Sequence, residues 1–176
     1  TPADDVFFSL IPGEYKPGKR QDISKERLAT DASMQIIDRV NNPKVTDDTL
    51  LMYAHHIEQG LRAAAARSIN NFGRYHLVLP LLKSKDPRAR LAGLTCITGM
   101  KKGKAMPIDQ VTDEMFNLAA GMVNDQQESW WVAHTAMNAI SRARVELIAP
   151  HVNRLIEWLK HDEWWMRNAA MKTLTH

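Results

Sequence analysis

The chain has 176 residues, a length that allows one globular core or a short stack of repeats. Its 44% hydrophobic and 24% charged residues exclude a disordered or collagen-like chain, and its net charge of +3 is well short of the dense positive field of a dedicated nucleic-acid binder. The single cysteine, Cys96, excludes an internal disulfide, and no apolar run is long enough to span a bilayer. No feature of the sequence assigns a compartment.

The first 24 residues differ from the rest and are expected to form an extended arm. Five proline and glycine residues interrupt this segment, and that density excludes a helix across it. Its short apolar piece "VFFSLI" could lie over a neighbouring surface. We therefore divide the chain into an arm at 1–24 and a helical domain at 25–176.

From residue 25 onward, apolar side chains recur with helical spacing, and no segment alternates as a strand does. An N-terminal helix is expected to end at the Asn-Asn-Pro sequence of residues 41–43. Thr46, Asp86 and Thr112 are good N-caps for later helices. The pattern predicts an all-α domain of about nine helices joined by short connections.

Three of the predicted helices share one layout. In "DPRARLAGLTCI" and "DEWWMRNAAMKTL", Arg90 and Arg167 are each followed by small and large apolar residues at offsets of three, four and seven. The segment "ESWWVAHTAMNAI" keeps the apolar positions but carries Ala133 where the arginine would stand. The two arginines are 77 residues apart, which corresponds to two units of about 38 residues each, the length of a two-helix repeat.

The stretches "HLVLPLLKSKDPRARLAGL" and "ELIAPHVNRLIEWLKHDEWWMRNAAMKTL" resemble HEAT-type repeats, as found in phycobilisome-lyase-related and many bacterial proteins. In that family, a first helix with a proline leads through an Asp-led turn to a second helix with an arginine and paired small residues. The matching positions are Pro80, Asp86, Arg90, Pro150, Asp162 and Arg167.

The resemblance covers about residues 46–176. It implies a right-handed α-α superhelix of about four helix pairs, after an extra N-terminal helix, with a role in binding and no chemistry. The gap from proline to aspartate is 6 residues in one unit and 12 in the other, which leaves the exact repeat boundaries open. Arg90 lies four residues after Asp86, so we expect it to bond back to Asp86 or to the loop of the preceding repeat.

Two tryptophan pairs, Trp130–Trp131 and Trp164–Trp165, begin successive second helices. Neighbouring helix positions point about 100° apart, so one tryptophan of each pair can enter the core. We expect the pairs to stack across the seam between repeats. The alternative is an aromatic ledge for a sugar ring, a nucleobase or a peptide side chain, flanked by His134, Arg167 and Lys172.

The function favoured by these features is a non-catalytic binding or scaffolding module. Its partner would be another protein, a ligand or flanking domains of the same chain, held on the concave face of the second helices. The candidate contacts are Arg62, Arg67, Trp131, His134, Trp164, Arg167 and Lys172. No cofactor or metal site is expected, because the adjacent His55 and His56 do not converge on one ion from a helix.

The last helix carries Met166, Ala170 and Leu174 on one stripe, with no later helix in the sequence to cover it. A repeat array needs a polar cap at each end. This pattern predicts that the chain is a fragment of a larger protein, or that a second copy or the 1–24 arm covers the stripe. The oligomeric state stays open.

Two alternatives assign the chain to an enzyme. "SWWVAHTAM" resembles the aromatic region of HEAT-like alkylpurine DNA glycosylases. That family requires a carboxylate beside its aromatic cleft, whereas residues 130–140 contain no Asp or Glu, and a net charge of +3 is modest for a duplex binder. The second alternative is an accessory domain of a larger bacterial hydrolase.

Overall fold

A computed structural model describes residues 36–100 and 103–175, and the structural statements below refer to these residues. Within these two ranges the chain is helical and contains no strand, which confirms the all-α prediction. The predicted arm and most of the predicted N-terminal helix lie outside the described residues. Residues 36–40 are helical, and Val40 is buried in the core.

The helices are labelled here in chain order. They are α1 Asp47–Ala54, α2 Gln59–Asn71, α3 Val78–Leu82, α4 Pro87–Thr98, α5 Asp113–Asn124, α6 Trp130–Ile140, α7 Val145–Ile148, α8 Val152–Trp158 and α9 Trp164–Leu174. Short 3-10 turns lie at Tyr75–Leu77 before α3, Ile108–Gln110 before α5 and Ala149–His151 before α8. None of the described helices combines the length and apolar character that a bilayer crossing requires.

The helix starts follow from local chemistry. The hydroxyls of Thr46 and Thr112 accept hydrogen bonds from backbone N–H groups three residues on, both at 3.2 Å. The Asp86 carboxylate accepts from the Arg88 backbone N–H at 2.9 Å. All three residues therefore act as the predicted N-caps, a contribution of about 1 kcal/mol each.

The helices pack as pairs: α1 on α2, α3 on α4, α5 on α6 and α8 on α9. The second members of the pairs also contact one another in chain order, α2 with α4, α4 with α6 and α6 with α9. We call α2, α4, α6 and α9 the second-helix row, and α1, α3, α5 and α8 the first-helix row. The buried apolar side chains of both rows form one core.

Small residues allow this close packing. A Cβ atom added to Gly93 of α4 would lie 3.1 Å from the Leu81 Cβ atom and from a Leu82 methyl carbon of α3. Glycine at this position therefore lets the two helices of the pair approach each other. Cys96, on the same helix, is fully buried, and burial raises the pKa of its thiol to about 12.

The apolar stripe of α9 corrects one expectation. Met166 and Ala170 are fully buried, and Leu174 packs partly against the core. The stripe faces inward because α9 packs on α6 and α8, and the Thr173 hydroxyl on this face donates to the Met137 carbonyl of α6 at 3.0 Å. The prediction that this stripe lies uncovered was wrong.

Candidate ligand-binding groove on the second-helix row

An open groove of about 700 Å³ lies where α4, α6 and α9 meet, and we call it the second-helix groove. It is lined by Thr95, Thr98, Gly99, Met100, His134, Thr135, Asn138, Ser141, Arg142 and Lys172. A second cavity of about 360 Å³ adjoins it and shares Ser141, Arg142 and Lys172. The site therefore belongs to the second-helix row, the face on which the sequence predicted binding.

Helical spacing places the lining side chains. Thr95 and Thr98 are three residues apart on α4, and His134, Asn138 and Arg142 follow at intervals of four along α6 and its C-terminal turn. Side chains three or four residues apart share one face of a helix. Because the opposite faces of α4 and α6 are buried, these polar side chains border the groove.

Arg142 fixes the floor of the groove at the end of α4. Its guanidinium donates to the backbone carbonyl of Ile97 and, at 3.0 Å, to that of Met106. Partial burial lowers the pKa of Arg142 from its usual high value, but a guanidinium with such a high starting pKa keeps its charge near neutral pH. The arginine thus ties two backbone segments together and supplies a positive charge.

His134 lies between the groove and the tryptophans. Its ring makes an edge contact with Trp165, with ring centroids 5.1 Å apart, and the amide nitrogen of Asn138 lies 3.4 Å from its Nε2 atom. Burial lowers the pKa of His134, so the ring is neutral at pH 7 and Nε2 accepts from the Asn138 amide. The lining thus combines a neutral imidazole with the cations Arg142 and Lys172.

The tryptophans stack at the seam between α6 and α9, as the sequence predicted. The rings of Trp131 and Trp165 are nearly parallel, with centroids 4.9 Å apart. Trp130 instead makes an edge contact with His161, at 4.5 Å between ring centroids. Trp130 and Trp165 are half-buried and pack against the core, whereas Trp131 and Trp164 are exposed, so one tryptophan of each pair faces the core without being fully buried.

Two of the predicted ligand contacts, Arg62 and Arg167, have a structural role that they share with Arg90. Arg62, Arg90 and Arg167 each donate Nη1 to the backbone carbonyls six and five residues earlier, at distances between 2.5 and 2.9 Å. They thereby satisfy carbonyls of the turn that enters each second helix. Arg62 is also buried, so it and Arg167 brace their turns and do not line the groove.

Arg62 also begins a segment with the shared layout, and this segment was missed in the sequence. Ala65, Ala66 and Ile69 follow it at offsets of three, four and seven, the layout already recognised around Arg90. The signal was present but was hidden by the alanine run, which reads as generic helix. The repeat arginine therefore occurs in α2, α4 and α9, and Ala133 replaces it in α6.

The Arg90 side chain does not bond to the Asp86 carboxylate, so that part of the expectation was wrong. Its Nε and Nη2 atoms donate to the two carboxylate oxygens of Glu128, at 2.9 and 2.8 Å. Glu128 precedes α6, so the pair links the second helix pair to the third. Asp86 accepts instead from Arg88, through both its backbone N–H and its side chain.

The remaining predicted contacts divide between the groove and other surfaces. His134 and Lys172 line the groove, and Trp131 stacks on Trp165, which contacts His134. Arg67 on α2 and Trp164, which is 67% exposed at the start of α9, do not line it. Of the seven predicted contacts, His134 and Lys172 therefore line the groove.

The groove residues missed in the sequence are mainly Asn138, Arg142 and the hydroxyl residues. On a single helix, such side chains are typical of a solvated surface, and only the packing of α4, α6 and α9 brings them together. Among the described residues, no group of three His, Cys, Asp or Glu side chains could hold a metal ion. No family model, no curated protein and no solved structure matches this chain, so no relative's activity carries over to it.

Proposed function

We propose that this chain is a non-catalytic, HEAT-like helical-repeat module that binds a protein segment in the second-helix groove. The helix pairs, the chain-order contacts of α2, α4, α6 and α9, and the recurring arginine support a repeat array. In this proposal the pairs stack in a right-handed superhelix, and the second-helix row forms its concave face.

The single observation that carries the proposal is the groove itself. A volume of about 700 Å³ falls in the range of sites that hold small molecules or a few peptide side chains. Its walls come from three helices of successive pairs, so a bound segment would contact more than one repeat. Extended binding surfaces of this kind are a general use of repeat arrays.

The groove chemistry favours binding over catalysis. Within residues 36–100 and 103–175, its lining includes no Asp, Glu or Cys, and the His134 imidazole has an amide and an aromatic ring as neighbours. General acid–base or nucleophilic catalysis usually pairs such a histidine with a carboxylate or an activated nucleophile. The same lining offers no carboxylate for the glycosylase interpretation, which needs one beside its aromatic cleft.

Peptide display tests the proposal without assuming the ligand's charge. A library of random twelve-residue peptides is selected on the intact chain, and enriched peptides are measured against Thr135→Trp and Asn138→Trp, which would fill the groove. The matched control is Asn153→Trp, at an exposed position of α8 on the first-helix row. We expect the enriched peptides to lose binding to both groove variants and to keep it with the control.

Circular dichroism establishes that each variant has the helix content of the parent chain. A selection that enriches no peptide contradicts the proposal. So do enriched peptides that bind folded groove variants as well as they bind the parent.

A further inference from the structure

Charge is divided unequally between the two rows. The four second helices contain no Asp or Glu, whereas they carry six Lys or Arg residues. The acidic side chains of the paired helices lie in the first-helix row, namely Asp47, Asp48, Asp113, Glu114 and Glu157. Carboxylates such as Asp86, Glu128 and Glu163 lie just before these helices, so the positive excess is confined to the C-terminal halves, where Arg142 and Lys172 line the groove.

Only part of this charge is available to a ligand. Arg62, Arg90 and Arg167 are engaged with backbone carbonyls of their own turns. Lys172 is exposed on the rim of the groove, and Lys104 is exposed on the loop before Met106. Arg142 also donates to backbone carbonyls, those of Ile97 and Met106, so it adds positive charge to the groove wall and its terminal nitrogens are engaged. In the part of the chain that the structure describes, these two or three cations suit one or two carboxylates and fall short of the phosphate contacts of a nucleic-acid duplex binder.

The hydroxyls of the lining distinguish a peptide from a phosphodiester. Thr95, Thr98, Thr135 and Ser141 each donate their hydroxyl proton to a nearby backbone carbonyl, at 2.7–3.2 Å. The Asn138 amide nitrogen likewise donates to the His134 carbonyl at 3.1 Å. These side chains consequently offer acceptor oxygens to an incoming ligand. A peptide backbone supplies N–H donors for them, whereas a phosphodiester backbone supplies only further acceptors.

We propose that the occupant of the second-helix groove is an extended peptide segment rich in Asp or Glu. Its carboxylates pair with Lys172 within the positive field of Arg142, and its backbone N–H groups donate to the threonine and serine oxygens. This inference rests on the proposed function and specifies the chemistry of the partner. The described part of the lining contains no carboxylate, so an acidic segment meets no like charge from these residues.

Fluorescence anisotropy with defined probes tests this charge preference. The probe is a fluorescein-labelled ten-residue peptide of alternating Glu and Gly, and its matched controls replace every Glu with Gln or use a ten-nucleotide oligo-dT. We expect the intact chain to bind the Glu peptide at least about tenfold more tightly than either control at low salt, with the difference narrowing as salt rises.

Charge reversal locates the binding. Lys172→Glu is expected to weaken binding of the Glu peptide about tenfold, and Thr135→Glu, which places a carboxylate in the groove, to do the same. Lys160→Glu makes the same change of net charge as Lys172→Glu, but at an exposed position outside the groove. It is expected to alter the affinity for the Glu peptide less than about twofold.

Each other outcome overturns the inference. Equal binding of the Glu and Gln peptides, tighter binding of oligo-dT, no binding of the Glu peptide, or equal loss with Lys160→Glu would contradict an acidic occupant of the groove. If display nevertheless enriches neutral peptides that lose binding to the Thr135→Trp variant, the proposed function stands and only the charge preference fails.

Discussion

Replacing Glu128 with alanine should destabilise the fold strongly, because it leaves a buried guanidinium without its carboxylate. The Glu128 side chain is only 5% exposed and that of Arg90 only 18%, and the two are joined by two parallel hydrogen bonds. Oε1 of Glu128 also accepts from the Ser129 backbone N–H at 2.9 Å. Breaking a buried pair by removing one partner costs about 3–5 kcal/mol.

The geometry places the expected loss near the lower end of that range. Nη1 of Arg90 keeps its bonds to the carbonyls of Ser84 and Lys85, so the guanidinium does not lose all its partners. We therefore expect Glu128→Ala to lower the free energy of unfolding by about 3 kcal/mol. Urea unfolding followed by circular dichroism at 222 nm measures it, with the m-value checked for a single transition.

An exposed ion pair provides the matched control. Asp113 at the start of α5 and Arg144 between α6 and α7 are 2.8 Å apart, but their side chains are 62% and 69% exposed. Asp113→Asn should therefore cost less than about 1 kcal/mol. A double-mutant cycle with Arg90→Met isolates the coupling of the buried pair. A loss below about 1 kcal/mol for Glu128→Ala, or a coupling no larger than that of the exposed pair, would refute the reasoning.

Three other predictions concern packing and titration. Gly93→Ala should destabilise the chain by about 1–3 kcal/mol, because the added methyl group meets the leucines of α3. At Gly121 a Cβ atom has open space, so Gly121→Ala should stabilise the chain by up to about 1 kcal/mol. Urea unfolding compares the two variants. Hydrogen bonds from His76 and Arg74 hold the pKa of Asp47 below its ordinary value of 3.8. The stabilisation from Asp47 is therefore present above pH 3.8 and is lost as the pH falls through the lowered pKa. Carbon-13 NMR titration of the Asp47 carboxyl group should show the lowered pKa, and an ordinary pKa would contradict the prediction. The Cys96 thiol should stay unreactive towards a disulfide reagent at pH 8 until urea unfolds the chain, and rapid labelling of the folded protein would show that it is accessible.

Local features of this fold were predictable from the sequence, whereas the contacts between helix pairs, apart from the tryptophan stacking, were not. Thr46, Asp86 and Thr112 cap their helices as predicted because capping depends on residues only two or three positions apart. The partner of Arg90 was missed because Glu128 is 38 residues away and lies in another helix pair. A search confined to the arginine's own turn could not find it.

The candidate site also combines residues that the sequence pointed to with residues that only the packing of the helices brings together. The sequence identified His134 and Lys172 because a histidine and a lysine near tryptophans stand out. It missed Thr95 and Asn138 because their neighbourhood exists only once α4, α6 and α9 pack together. It assigned Arg62 to ligand binding because sequence does not reveal which way a helical arginine points or how deeply it is buried.

The most direct test of a binding module is to map where a bound segment lies. Nitrogen-15 NMR spectra of the intact chain, recorded during titration with the tightest peptide from display, report each backbone amide separately. The account predicts shifts concentrated at Thr95, Thr135 and Asn138 and the ends of α4 and α9, with Asn153 and the rest of α8 unchanged. Shifts concentrated on the first-helix row would contradict the account. So would saturable peptide binding that leaves the chemical shifts of the groove amides unchanged.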